Sequence, residues 1–546
     1  MSFLQDPPRP VDLYAVDPIL RSELRRHLPA EVFEAVQGRF EQLGRDTAGC
    51  LYDWAAEAEA QQPVHVPFDS WGKRVDRIDT CPAWGHLKAY SATQGVVATG
   101  YETALGEHRR VVQATLLHLF SASSAIFSCP LAMTDAAARV LIDSGSTDLA
   151  ERLVPKLLSR DPQTFITSGQ WMTERSGGSD VGGTETLARP NPDGSFALHG
   201  EKWFTSATTS EMALALGRID DGVNEPVAGS RGLTVFAVDV VRRDDQLQGV
   251  RVDRLKDKLG TKALPTAEIT LEGVAGWQVG EVGRGVPTIA TMLNITRFYN
   301  AVSSCSAMGK ALWWARDFAG RREAFGELIQ DHPLHAWTLD GMEAEYAGAL
   351  AMAFEVASKL GRFEQGLCDE SELRLLRGLI PLGKLTLGKQ AVRVVSEGLE
   401  CFGGAGYVED TGLPVMLRDA QVLSIWEGTT NVLSLDLLRA EAKDGSMRAL
   451  IEDLQFRSQA LDEGLPLASR STLRSTLERL ASGLQALLTG GDRGALEARA
   501  RDAALTLGYL TQAVLLGELA AAPGSDARAT GRFERFVQQR LSAPWA

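Results

Sequence analysis

A chain of 546 residues with 44% hydrophobic content can fill several cores and is too long for one simple domain, so three or four domains are expected. Its net charge of −14 gives no global electrostatic reason to bind nucleic acid or an anionic membrane. Six cysteines, at 50, 81, 129, 305, 368 and 401, form no CxxC pair, which argues against a disulfide scaffold or zinc ribbon and suits a reducing compartment. The opening MSFLQDPPRPVDLYAVDP lacks a basic stretch followed by an apolar core, and no run approaches 18 uninterrupted apolar residues. A soluble, cytoplasmic protein without membrane insertion is expected.

Between about 14 and 165 the apolar residues recur three and four apart, as in VDPILRSELRRHLPAEVFEAVQGRFEQLG, which predicts helices. HRRVVQATLLHLFSASSAIF carries so few charges that it reads as a helix buried on most sides. From about 170 to 280 the texture changes to short, partly β-branched runs between Gly, Asp and Asn turns, such as GLTVFAVDV and AEITLEGV, which predicts a small β domain. Helical periodicity returns near 284 in three runs long enough for a bundle. It continues from 441 to 546, interrupted by TGGDRG and AAPGSDARATG. The expected domains are 1–168 (helical), 169–282 (β-barrel), 283–440 (helical bundle) and 441–546 (an extra helical module).

Five stretches could carry chemistry. GQWMTERSGGSDVGGTET (169–186) sets paired glycines beside hydroxyls, a turn able to present N–H groups to an anion or a polar ring edge. It is neither a P-loop nor a GxGxxG fingerprint. HGEKWFTSATTS follows Trp203 with a run of hydroxyls suited to a flat polar heterocycle. Arg297 and Arg322 offer planar forks that match phosphate, although either could cap a helix or pair with Glu343 or Glu345. ECFGGAGYVED places Gly403, Gly404 and Gly406 after a helix end, either as a C-cap or for close backbone approach to a ligand. SIWEGTTN sets Glu427 between Trp426 and Gly428, where partial desolvation would raise its pKa and strengthen it as a base. His332 and His335 stand three apart without HExxH or a second ligand pair, and no GxSxG is present, so neither a metal site nor serine hydrolase chemistry is expected.

Six motifs along the chain stand in the order found in the acyl-CoA dehydrogenases. They are Thr173-Glu174 with Gly178-Ser179-Asp180, Lys202-Trp203-Phe204-Thr205, Lys258-Leu259-Gly260, Arg322-x-x-Phe325-Gly326, Phe402-Gly403-Gly404-Ala405-Gly406-Tyr407 and Ile425-Trp426-Glu427-Gly428-Thr429. The match spans roughly residues 60 to 440. The chain most resembles the AidB-like branch, on Gly169-Gln170-Trp171-Met172-Thr173-Glu174, Arg254-Leu255-Lys256-Asp257-Lys258-Leu259-Gly260, Thr296-Arg297-Phe298 and Trp426 in place of a tyrosine. The extra C-terminal residues also suit that branch.

The resemblance implies a mainly α fold with a central β-barrel: an N-terminal helical domain, a middle β domain, a C-terminal helical bundle and a further helical module. It also implies a noncovalently bound FAD between barrel and bundle, in a homotetramer. Met172 and Thr173 would contact the flavin's pyrimidine edge, Thr205 would hydrogen-bond near N5, and Trp203 would pack along the ring. Ser179 would meet the flavin or the polar part of the substrate, and Arg297 would sit by the substrate cleft. Arg322 would reach the FAD pyrophosphate of a neighbouring subunit, with Phe325 and Thr429 among the cofactor-binding residues and Gly403 and Gly404 on the adenosine side. Glu427 would remove the pro-R α-proton of an acyl-CoA. Some branches carry the base immediately before the cleft arginine; here that residue is Thr296, which leaves Glu427 as the family's candidate. Two positions depart from the common pattern: Glu400 replaces a glutamine, as in the AidB-like branch, and Arg175 replaces a proline, which makes its turn less rigid.

The implied reaction is FAD-dependent introduction of a trans-2 double bond into an acyl-CoA thioester, with an electron-transfer flavoprotein as reoxidant. The rival readings are an acyl-CoA oxidase, and a low-activity AidB-like flavoprotein that binds acyl ligands or DNA. For DNA, residues 441–546 carry 13 Lys+Arg against 13 Asp+Glu, which is no strong nucleic-acid footprint.

Overall fold

The computed structural model describes residues 6–244, 246–461, 464–522 and 525–542. The first five residues of the opening stretch, residues 523–524 of AAPGSDARATG and the last four residues of the expected final module lie outside the described residues. Two compact units emerge: Met1–Cys50 with Glu102–Ala122 and Arg297–Ala546, and Leu51–Tyr101 with Ser123–Thr296.

The second unit is built on strands. A hairpin of β1 (Val64–Phe68) and β2 (Arg74–Asp79) precedes β3 (Ser168–Trp171), β4 (Leu187–Pro190), β5 (Phe196–Ser206), β6 (Met212–Ile219) and β7 (Leu233–Asp239). Then come a two-residue pair, β8 (Arg242–Arg243) and β9 (Gln246–Leu247), and the longer β10 (Val250–Leu255) and β11 (Thr266–Val279). β11 pairs first with β5 and then with β7, and the circuit β11–β5–β4–β6–β7 closes into a five-stranded barrel flanked by β10 and β3. β11 keeps β5 on one edge, with a register shift between Glu272 and Val274 where Gly273 takes φ +86°, and on its other edge pairs with β10 over Ala267–Leu271 and with β7 over Gly276–Val279. β6 (MALALGRI) and β7 (LTVFAVD) are buried along almost their whole length, so they read as continuous apolar runs rather than alternating ones. Trp171, Leu198, Phe236, Ile269 and Val274 fill the core.

The β1–β2 hairpin corrects the helical expectation for residues 14–165. Pro67 excludes a helix interior, and VHVPF and RVDRID flank a DSWG turn. Asp76 anchors the hairpin: its carboxylate accepts from Arg74 Nε (2.7 Å) and from the Val252 N–H of β10 (3.2 Å).

The first unit is helical. Arg109–Ala122 is buried on nearly every side, as its composition indicated. The long helices Pro333–Glu364 and Glu370–Cys401 pack together, the latter opened by a capping box between Asp369 and Glu372. Ser446–Gln459, Leu467–Thr489, Arg493–Ala521 and Ala529–Leu541 follow. Arg493–Ala521 is long and apolar enough to cross a membrane, yet 67% of its apolar window is buried inside the protein. The last helices are tied to the bundle by Arg540 on Glu345 (2.6 and 2.7 Å) and by reciprocal amide bonds of 2.9 Å between Gln390 and Gln512. Glu343 pairs with Arg316, Arg528 and Arg532, so neither glutamate takes Arg297 or Arg322 as an ion-pair partner.

Candidate active site

In the barrel unit, Met172 is buried and Thr173 half-buried just past the end of β3, while Ser179 is exposed in the glycine-rich turn. Trp203 and Thr205 lie on β5, and the Trp203 N–H donates to the Thr173 carbonyl (2.9 Å), so the two segments are bonded directly. Lys202, behind Trp203, donates to Glu174 Oε1 (2.7 Å) and to the Leu216 carbonyl (2.9 Å). Glu174 also accepts from the N–H groups of Glu185 and Thr186 and from the Thr186 hydroxyl. Burial alone would raise the Glu174 pKa; Lys202 and these donors outweigh it and hold the carboxyl below its usual range. Burial lowers the Lys202 ammonium, and Glu174 offsets part of that shift.

Thr205 is fully buried, and its hydroxyl proton is directed to the Ala267 carbonyl (2.9 Å). A hydroxyl has one proton, so Thr205 Oγ1 can only accept from a further partner. The Trp203 ring has Lys256 Nζ 3.5 Å and the Arg175 guanidinium 5.5 Å from its centroid, two cation–π contacts that sequence reasoning did not find. Arg175, noted only as a departure from proline, also bridges to Glu201 (2.7 Å).

In the helical unit, Glu427 sits half-buried in the turn between helices Leu413–Val422 and Thr430–Asp444, with φ +58°, followed by Gly428 at φ +107°. A left-handed glutamate is a strained residue that its surroundings must hold in place. Arg297, expected at the substrate cleft, donates through Nε to the Glu427 carbonyl (3.3 Å) and pairs through Nη1 with Asp436 (3.0 Å). Its fork therefore serves the turn that carries Glu427. Lys384, missed in the sequence, donates to the Gly428 carbonyl (2.6 Å). The signal was available, because it is a lysine within IPLGKLTLG, an otherwise apolar run. Thr296 is buried, with its hydroxyl donated to the Met292 carbonyl (3.3 Å).

Gly403 takes φ +60°, and a Cβ built on it or on Gly404 would meet nothing within 4 Å, so this backbone is open to a bulky group. Phe325 and Gly326, at φ +54° and +90°, form the two-residue turn joining β12 (Glu323–Ala324) to β13 (Glu327–Leu328). The Phe325 ring is fully exposed, and the Arg322 Nη1 donates to the Glu323 carbonyl (2.6 Å). Thr429 is exposed at the N-cap of Thr430–Asp444. Beside Glu427, the Trp426 indole N–H is buried without a hydrogen-bond partner among the described residues. A buried, unpaired donor next to a carboxylate, with open glycine backbone in the same unit, fits a site that takes a polar ligand.

Residues 5–162 match the family model for the adaptive response protein AidB N-terminal domain. Residues 169–274 and 283–442 match those for the acyl-CoA dehydrogenase middle and C-terminal domains. Acyl-CoA dehydrogenase family member 11 of Caenorhabditis elegans is 43% identical over 508 residues, covering 91% of this chain and 82% of that protein. The crystal structure of C. elegans ACDH-11 in complex with C11-CoA superposes with a TM-score of 0.94 at 40% identity, covering 100% of this chain and 93% of that one. AidB of Escherichia coli K12 is 31% identical over 434 residues, 78% of each chain. An acyl-CoA dehydrogenase from Bacillus anthracis, complexed with FAD, shares the fold at a TM-score of 0.74 and 17% identity, over 97% of this chain and 90% of that one.

Proposed function

This chain belongs to the acyl-CoA dehydrogenase family, in its AidB-like branch, and from that premise we propose that it introduces a trans-2 double bond into an acyl-CoA thioester with FAD as cofactor and Glu427 as base. The observation that carries the reading is the Glu427 turn: a carboxylate in a strained left-handed conformation, its backbone tethered by Arg297 and Lys384.

The residues that would hold a flavin in this unit are Met172 and Thr173 at its pyrimidine edge, Trp203 along the ring, and Thr205, whose hydroxyl could only accept. Ser179 and Thr429 add exposed hydroxyls, Gly403 and Gly404 leave room, and Arg322 and Phe325 stand on an exposed hairpin suited to reach a neighbouring subunit of a homotetramer. When bound, the flavin supplies the acceptor for the β-hydride.

The chain's own contribution is proton management. The α-proton of a thioester is weakly acidic, so its removal needs a positioned carboxylate and donors at the thioester oxygen where charge develops. Glu427 takes the proton, and its backbone N–H is a donor to that oxygen. Exclusion of water by the acyl chain raises the carboxylate's proton affinity toward the working range. Because ACDH-11 was solved with C11-CoA, a medium-length acyl chain is the first substrate class to test here. An electron-transfer flavoprotein is the proposed reoxidant and the cytoplasm the proposed location.

The test is anaerobic mixing of the yellow holoprotein with C4 to C20 acyl-CoAs, branched ones included, following flavin absorbance near 450 nm for wild type and Glu427→Gln. Rapid bleaching by a subset, lost in the variant, is the expected result. A fully flavinated protein that no thioester bleaches would end the dehydrogenase reading.

A further inference from the structure

Lys384 lies in the middle of helix Glu370–Cys401 and is 1% exposed. Lysine has a long, flexible stem and a strongly hydrated head, so one that keeps its head inside the protein must have a partner there. That partner is the Gly428 carbonyl, 2.6 Å from Nζ. One helical turn further on, a Cβ at Gly388 would come within 2.6 Å of the Leu423 carbonyl oxygen and 3.4 Å of Ser424 Cα. Residues four apart share a helix face, so this one helix grips the SIWEGT turn at both ends, by close backbone approach at Leu423 and by an ammonium at Gly428. Arg297 holds the carbonyl between, that of Glu427, at 3.3 Å. Two consecutive carbonyls are thus drawn to two different cations, which fixes the peptide planes on either side of Gly428, and with them its φ of +107°, directly after the left-handed Glu427.

Resting on the assignment of Glu427 as base, we infer that Lys384 is its positioning residue: the Nζ–H···O=C bond to Gly428 locks the turn in the conformation from which the carboxylate acts, and the ammonium balances the carboxylate's charge. Two charged groups act on Lys384: Glu427 from the turn, and Arg297 from helix Gly285–Ala319, itself paired with Asp436 of helix Thr430–Asp444. Elsewhere along the same helix, Gln390 bonds Glu345 of helix Pro333–Glu364 and Gln512 of helix Arg493–Ala521, so those groups are held in a separate network. Burial lowers the ammonium's pKa; Glu427 raises it and Arg297 lowers it again, and the balance is about 7. As pH rises through that value the carboxylate loses its counter-charge and becomes the stronger base.

The experiment compares wild type with Lys384→Met, which keeps length and removes the donor, and with Lys384→Arg, which keeps donor and charge. Three quantities are read on flavinated protein: the single-turnover bleaching rate from pH 6 to 9, the affinity for a non-reducible alkyl-CoA thioether, and amide exchange of residues 425–430. Lys384→Met is expected to slow bleaching roughly 10- to 100-fold, the scale of a displaced catalytic group, and to lose the rate limb near pH 7. Its thioether affinity is expected to stay within about threefold of wild type, because binding does not use the displaced carboxylate, while exchange in 425–430 rises. Lys384→Arg is expected to recover part of the rate. Wild-type rate, pH profile and exchange in Lys384→Met would overturn the inference, as would parallel losses of rate, affinity and flavin that Lys384→Arg does not relieve. If Lys384→Met gives no soluble protein, Lys384→Gln, an uncharged and shorter donor, is held to the same outcomes. Should Glu427→Gln bleach as fast as wild type, the base assignment fails; unchanged exchange at 425–430 in Lys384→Met separately overturns the tether.

Discussion

Lys202 Nζ and Glu174 Oε1 lie 2.7 Å apart inside the barrel unit, with side chains 0% and 7% exposed. Together with the Trp203 N–H bond to the Thr173 carbonyl, the pair joins β5, which carries Trp203 and Thr205, to the segment that carries Met172 and Thr173, so the proposed flavin contacts of this unit other than Ser179 depend on it. Removing one partner strands a charge in a place with no water to solvate it. Lys202→Met is therefore expected to cost about 3–5 kcal/mol of stability and to release flavin. The double variant Lys202→Met/Glu174→Leu should cost clearly less than the two single changes added together. Thermal unfolding and flavin content of the three purified proteins measure this; additive losses would show that the pair does not act as a unit.

The fold was readable because its signals are long-range and periodic. A chain that switches from helical spacing to short β-branched runs near 170 and back near 284 describes a barrel between helical regions, and the closed β11–β5–β4–β6–β7 circuit bears that out. The β1–β2 hairpin was hidden because two short strands are few against the helical pattern on both sides; Asp76, which anchors it, looks in sequence like any surface acid. At the site, sequence supplied the groups whose type announces chemistry: Glu427, Arg297, Thr205 and the glycines. It could not supply the tethers. Lys384 interrupts an apolar run, and only the structure shows that every direction around it is occupied and that Gly428 receives its proton.

Gly388 and Gly383 are adjacent turns of the same helix and should respond oppositely to alanine. A Cβ at Gly388 would be driven against the Leu423 carbonyl, backbone that cannot rotate away, and overpacking of this kind costs about 1–3 kcal/mol. A Cβ at Gly383 would meet only Val356 Cγ2 at 3.7 Å and Met352 Cε at 3.9 Å, ordinary contact, while helix propensity favours alanine by up to about 1 kcal/mol. Gly388→Ala is expected to melt earlier and bleach more slowly with acyl-CoA, and Gly383→Ala to melt at the same temperature or higher with unchanged bleaching. Matching behaviour in the two variants would remove the case for close approach at Leu423.

Phe325 holds a bulky aromatic at φ +54° with its ring in solvent, a conformation that asparagine adopts with less strain. If the ring were idle, Phe325→Asn would be a harmless improvement. The proposed tetramer gives the ring a role in a neighbouring subunit, so Phe325→Asn is expected to keep or raise the stability of the chain itself while lowering the native mass and the flavin content. Light scattering coupled to gel filtration reads the mass, and an unchanged tetramer with full flavin would separate Phe325 from assembly.

His118 supplies a pH dependence whose sign is fixed by its burial. Tyr346 donates to Asp17, and the Tyr346 oxygen lies 3.2 Å from His118 Nε2, which makes the imidazole the donor there. Burial takes its pKa from 6.5 down to about 3. Above pH 6.5 the histidine is neutral in both folded and unfolded chains and contributes no slope. Below that value the unfolded chain binds a proton that the folded one refuses, so stability is lost as pH falls from 6.5 toward 3, at roughly 1.4 kcal/mol per pH unit. His118→Gln keeps a donor for Tyr346 and does not titrate. Between pH 6.5 and 4.5 the wild type is expected to lose roughly 2–3 kcal/mol more than His118→Gln in urea unfolding. The other titrating groups are common to both proteins and cancel in the comparison. Parallel stability curves across that range would mean that His118 takes up its proton without unfolding the helices around it.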